Sequence, residues 1–227
     1  MHPFTIEPES SWYTNPTTNK RQKGMFISKP IDAFYHADYS GGGQWKVPET
    51  IENIICTLKN DITPYAPNVL QKTSQLLASI LEADLPLIPI QIGKNNLTVC
   101  VVPRAKVNYD ANQLLFKTTV SEVVNGLNGF YNGTNYIVRH TDTKTTHLSK
   151  GKSGGGNGNS PYPGITKETC TISNEVRSKD ILLIDDLYTK TVGIDEDAIQ
   201  ALLDSGANSV AFYSVGKTLR KSALINQ

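Results

Sequence analysis

Four apolar residues, Ile181-Leu182-Leu183-Ile184, run without a break into two adjacent carboxylates, Asp185 and Asp186. A polar loop follows at once, with Thr189, Lys190, Thr191 and Gly193, and an apolar-periodic stretch begins behind it. An unbroken β-rich run suits a parallel strand covered on both faces. The spacing Ala198, Ile199, Leu202, Leu203 predicts a helix over residues 193–203, closed by Asp204-Ser205-Gly206. A strand, a tight loop and a helix in that order commit this stretch to an α/β unit, with its chemistry at the strand's carboxyl end.

The rest of the chain repeats the alternation. Strands are expected at residues 97–102, 136–138, 168–172 and 210–215, and a helix at 112–127. Upstream, Ile51, Ile54, Ile55 and Leu58 fall at i, i+3, i+4 and i+7 and predict a helix over 48–59 capped by Thr50. A second helix is expected to start at Thr63-Pro64. Residues 86–92 carry Pro86 and Pro89 and read as an edge strand or extended connection. Short strands are expected within residues 25–39. The predicted fold is α/β, an open, mostly parallel sheet with helices on both faces. It is organised as an irregular lead-in over 1–24 and one domain over 25–227. That domain divides into an N-terminal helical and short-strand hood (25–95), a core (96–220) and a flexible glycine-rich loop (150–164).

The loop after Ile184 has a physical use for each part. Backbone N–H groups and the dipole at a helix N-terminus favour a phosphate. Threonine hydroxyls add hydrogen bonds, and glycine lets the backbone approach closely. The carboxylates beside it can accept from vicinal ribose hydroxyls or hold Mg²⁺ through water. Against this stands the plainer possibility of two solvated aspartates before an ordinary turn. The sequence argues against a nucleoside-triphosphate loop, since Thr146 and Ala211 stand where the first glycine of G-x-x-x-x-G-K-[ST] belongs.

A formal net charge of +1 gives no sign of a nucleic-acid partner. Cys56, Cys100 and Cys170 are far apart with no C-x-x-C, which argues against structural zinc and fits a reducing cytoplasm. The first residues lack a leader pattern and no stretch approaches 18 apolar residues, so neither secretion nor membrane insertion is expected.

The segment Ile181 to Asp197 resembles the phosphoribosyl diphosphate (PRPP) motif of type I phosphoribosyltransferases: apolar residues, two acids, two variable residues, then a threonine-rich phosphate loop. Residues 35–39, Leu58-Lys59, Val102-Pro103-Arg104-Ala105-Lys106, Asn112-Gln113 and Val138-Arg139 occur in an order similar to the ComF-like, amidophosphoribosyltransferase-like branch. The loop departs from the family's Thr-Thr-Gly-x-Thr: it reads Thr189-Lys190-Thr191-Val192-Gly193, with the glycine two positions later.

The resemblance implies transfer of phosphoribose from PRPP, with Mg²⁺, to a small nitrogenous acceptor in the cytoplasm, by a chain that can pair as a homodimer. It assigns Asp185 and Asp186 to catalysis and to Mg²⁺, and Thr189, Lys190, Thr191, Val192 and Gly193 to the 5-phosphate. Arg104, Ala105 and Lys106 fall to pyrophosphate, residues 150–164 to a lid, and Lys144 and Lys150, near its start, to the pyrophosphate as well. Lys59 reads as a helix-end charge, Asp195, Glu196 and Asp197 as first-turn acids, and His140 and His147 as polar-segment residues. A non-catalytic PRPP- or nucleotide-binding module, a competence or DNA-process module, and an assembly scaffold are the competing expectations.

Overall fold

A computed structural model describes residues 1–14, 20–62, 64–143, 164–190 and 192–219. Its centre is a six-stranded mixed sheet in the order β1-β4-β10-β9-β5-β6, with β1 at His2–Ile6, β4 at Ile31–Tyr39, β5 at Leu97–Val101, β6 at Phe130–Asn132, β9 at Asp180–Tyr188 and β10 at Ser209–Thr218. The five strands from β4 to β6 are mutually parallel, and β1 lies antiparallel on the outer edge of β4. The fold is therefore α/β with a mostly parallel sheet.

Helices cover both faces because the central strands are apolar on both. Val99, Val101, Leu182, Ile184, Ala211 and Tyr213 join one buried cluster with residues of α1 (Ile51–Lys59), α2 (Pro67–Asp84) and α4 (Leu115–Gly126). Cys100, Ile181, Leu183, Val210 and Phe212 join the other with Ala198, Ile199 and Leu202 of α5 (Ile194–Asp204). That parity is the period of two that a strand imposes.

The expected helices form with shifted starts. Thr50 caps α1, its side chain accepting from Asn53 N at 3.2 Å. Helix α2 begins at Pro67 and not at Pro64; Pro67 occupies the first helical position, where a missing N–H costs nothing. Residues 86–92 correct the expectation of an extended segment, since Leu87–Ile92 is a helix, α3. Pro89 sits in its first turn, where the helix has no N–H to satisfy. Together α2 and α3 form a run, Pro67–Ile92, long and apolar enough by length and composition to cross a membrane. Here its Leu70, Leu77 and Leu81 are buried.

The N-terminal part differs most from expectation. Residues 1–24 are not irregular throughout: His2–Ile6 is the edge strand β1, and β2 (Ser10–Thr14) pairs with β3 (Arg21–Met25) as an antiparallel ribbon. The expected hood is divided, with β4 inside the sheet and α1 and α2 on its face. Strand β7 (Ile137–Arg139) stands apart from the sheet and pairs with β8 (Cys170–Ile172). The glycine-rich stretch, apart from Gly164, lies outside the described residues, as do Lys144, His147 and Lys150.

Candidate functional site

Strands β5 and β9 are neighbours, yet their chains leave in opposite directions. From β5 the chain crosses by α4 to β6 on one side; from β9 it crosses by α5 to β10 on the other. Such a reversal opens a crevice outside the carboxyl ends of the two strands. A cavity of about 190 Å³ lies there, bounded by Lys59, Pro103, Arg104, Lys106, Asp185 and Asp186.

The two carboxylates are inside β9, which continues to Tyr188. Ile184 and Leu187 both belong to the α1 side of the sheet, and Leu183 and Tyr188 to the α5 side, so the alternation breaks between them, at the acid pair. The two aspartates consequently find different partners. Asp186 Oδ2 lies 3.0 Å from Lys59 Nζ at the end of α1. Asp185 meets Asp195 in the first turn of α5 through a side-chain hydrogen bond and accepts from Asp186 N at 2.7 Å. Burial, and then the neighbouring Asp186 charge, raises Asp185 to about 7. Burial and the Asp185 charge raise Asp195 well above the carboxylate range, so the pair favours holding a proton between the two carboxyls. Burial works against the Lys59 ammonium, but Asp186 and Asp185 outweigh it and raise its pKa.

The opposite wall is the loop after β5. Arg104 Nη1 donates to Lys59 O at 2.8 Å and to Gln113 O at 2.5 Å, Nη2 binds Asp61, and the guanidinium stacks 4.1 Å from the Tyr109 ring centre. Arg104 is thus a clamp between the end of α1 and the start of the α4 region. Ala105 O accepts from Thr143 N at 2.8 Å, and Lys106 Nζ donates to Thr143 O at 2.8 Å. Arg139 Nε donates to Arg104 O at 2.6 Å and the side chain is buried, which lowers its pKa. Lys117 of α4 also borders the cavity, its pKa lowered by burial. Three cations not assigned to the site from the sequence, Lys59, Lys117 and Arg139, therefore border the same cavity as the acid pair.

The described residues of the expected phosphate loop do not border this cavity. Thr189 Oγ1 pairs with Thr218 Oγ1 at 2.8 Å, and Val192 N donates to Thr189 O at 2.9 Å. Lys190 Nζ is 2.8 Å from Glu9 Oε1. Lys190 and Gly193 border a separate cavity, and Thr191 lies outside the described residues. The structure thus brings Asp185, Asp186, Arg104 and Lys106 together and turns Lys190 away. His140 is exposed, its ring against Thr141 Oγ1 and Lys167 O.

The fit to a protein-held Mg²⁺ is poor. Asp186 already pairs with an ammonium, Asp185 shares a proton with Asp195, and the described residues hold no group of three His, Cys, Asp or Glu suited to a metal. Lys59, weighed as a helix-end charge, takes the place of the cation. Its signal in the sequence was its position as the last residue of α1, one turn beyond the buried Ile54 and Ile55. Arg139 was visible only as part of the Val138-Arg139 motif, and Lys117 carried no comparable signal.

No protein-family model matches this chain, and no curated protein matches it.

Proposed function

We propose that the Asp185/Asp186 cavity binds a phosphorylated ribose of the PRPP type, in a phosphoribosyltransferase-like domain that transfers phosphoribose to a small nitrogenous acceptor. The observation that carries this is the shared cavity at the β5/β9 reversal, which sets two carboxylates against Lys59, Arg104, Lys106, Lys117 and Arg139. Carboxylates accept from a vicinal diol; fixed cations face phosphoryl oxygens. The order of motifs along the chain adds the resemblance to type I phosphoribosyltransferases and its ComF-like branch.

In this scheme Asp186, held by Lys59, receives the ribose hydroxyls and Asp185 steadies the same edge. Lys106 and Lys117 face the diphosphate, while Arg104 and Arg139 hold the wall in place. Displacement of pyrophosphate from C1 builds positive charge on the sugar ring, which the aspartates stabilise by being fixed in advance. Mg²⁺ belongs to the substrate, as counter-ion of its diphosphate, and needs no site on the chain.

A second function is favoured by one observation: the strongest charges are already matched internally, Arg104 with Asp61, Lys59 with Asp186 and Lys190 with Glu9. That suits a domain that binds PRPP or a nucleotide without transfer. Titration calorimetry with Mg-PRPP on the wild type and on Asp186→Asn tests the site, and pyrophosphate release with a panel of amines and bases separates the two functions. Binding lost in the variant with pyrophosphate released by the wild type supports transfer. Binding without release supports the binding module. No heat at millimolar PRPP rejects both.

A further inference from the structure

A second cavity, about 300 Å³ against about 190 Å³, shares no bordering residue with the Asp185/Asp186 cavity. It lies between β1 and the first turn of α5, and its size is that of a small-molecule site. Phe4, Phe26 and Tyr188 supply aromatic walls, with the Phe4 and Tyr188 rings 5.1 Å apart. Glu196 also borders it and is only 7% exposed. Tyr188 OH donates to Glu196 Oε1 at 2.8 Å, while Glu196 Oε2 is buried and has no hydrogen-bond partner. A buried polar atom left in that state is costly and calls for a partner from outside the chain. Burial raises the Glu196 pKa, which favours its protonated form, and a protonated carboxyl can both donate and accept.

The charges at the mouth narrow the ligand further. Lys190 is paired with Glu9. Lys217 Nζ rests 5.2 Å from the Phe4 ring centre and 5.0 Å from that of Tyr35, and no carboxylate pairs with it among the described residues. A cationic ligand would meet Lys217, and a plain hydrocarbon would leave Glu196 Oε2 as it is. A flat ring with a hydrogen-bonding edge and an attached anion satisfies the walls, the acid and the lysine together.

We propose that this cavity is a second ligand site, for a mononucleotide whose base lies among Phe4, Phe26 and Tyr188 with its polar edge on Glu196 and its phosphate on Lys217. It stands independently of the function proposed for the Asp185/Asp186 cavity.

Calorimetry of the full chain with AMP, GMP, CMP and UMP is the test, repeated on Lys217→Met, Glu196→Gln and Asp186→Asn. At least one nucleotide is expected to bind. Lys217→Met should weaken it by about tenfold, the loss of one charge-assisted contact. Glu196→Gln, nearly isosteric, should change the order of preference among the four bases. Asp186→Asn should leave the Lys217-dependent affinity unchanged. Circular dichroism of each variant establishes that it is folded. Absence of binding by any of the four at millimolar concentration overturns the proposal. So does binding that Asp186→Asn abolishes and Lys217→Met does not, because that places the nucleotide in the other cavity.

Discussion

Lys59 Nζ lies 3.0 Å from Asp186 Oδ2, an ion pair that fastens the last turn of α1 to the centre of the sheet at the one place where β9 loses its alternation. Both side chains are mostly shielded, at 23% and 17% exposure, so neither solvent nor salt replaces the partner if one is removed. Lys59→Met should destabilise the fold by about 2 kcal/mol, under the roughly 3–5 kcal/mol of a fully buried pair. Lys59→Met with Asp186→Asn should recover most of that loss. Urea denaturation of the two singles and the double measures the coupling, and additive losses would show that the pair contributes nothing.

The Asp185–Asp195 pair makes stability fall as pH rises. Both acids have folded pKa values above the usual 3.8, Asp185 at about 7. From about pH 4 upward the unfolded chain releases protons that the folded chain retains, and the folded state loses ground until the folded groups ionise too. Asp195→Asn copies the protonated partner and removes that loss. Its Tm should match the wild type near pH 4 and exceed it by about 5 °C at pH 8. Differential scanning calorimetry at the two pH values checks the sign, and a variant less stable at pH 8 would refute it.

Asp84 has the opposite sign. Burial alone would raise its pKa, but His36 Nδ1 at 2.9 Å and Tyr213 OH at 2.9 Å outweigh it and hold it below the usual value. A depressed carboxylate contributes stability above its unfolded pKa and loses it as pH falls through the folded one. Tyr213→Phe should cost about 1–2 kcal/mol at pH 7, the loss of a hydrogen bond to a charged, buried group. The difference should shrink below about pH 4. Chemical denaturation at pH 7 and pH 3 measures both.

Gly193 has φ +75°, and a Cβ placed there would lie 3.2 Å from Phe26 Cε2. Gly193→Ala should therefore cost about 1–2 kcal/mol from the left-handed backbone alone. The added methyl also presses on the aromatic wall of the larger cavity. Urea denaturation reads the first effect, and a stability equal to wild type would show that the loop relaxes freely.

Much of the fold was legible where neighbouring residues encode it. The runs at Leu97 and Ile181 announced parallel strands covered on both faces, and the Ile51–Leu58 spacing announced α1. What escaped was long-range. His2–Ile6 carries Pro3 and little alternation, and becomes a strand only because β4 offers it an edge. Residues 86–92 misled because two prolines look like breakers unless both fall before or within a first turn, as they do here. In the site, the acid pair and the Arg104–Lys106 turn were legible as chemistry on a strand end and its following loop. Lys59 was not assigned there, since nothing local says that the end of α1 comes to rest on β9. The pairing of Lys190 with Glu9 could not be read, since the two lie far apart in the chain.

Strand β4 has its parallel neighbour in β10, with Ala33 opposite Phe212, so the first long strand of the sheet is completed by the last. A chain emerging from the ribosome must carry Ala33 and Phe34, both buried in the finished fold, without that neighbour until residues 209–218 have been synthesised. Pairings of such separation are slow to form and leave apolar strand edges open to other molecules. The acid pair on β9 depends on the same late event, because β10 is what locks β9 on the side away from β5. The site is thus assembled only once residues 209–218 have been made, and chains interrupted before residue 209 would reach the cell with both carboxylates and nowhere fixed to hold them.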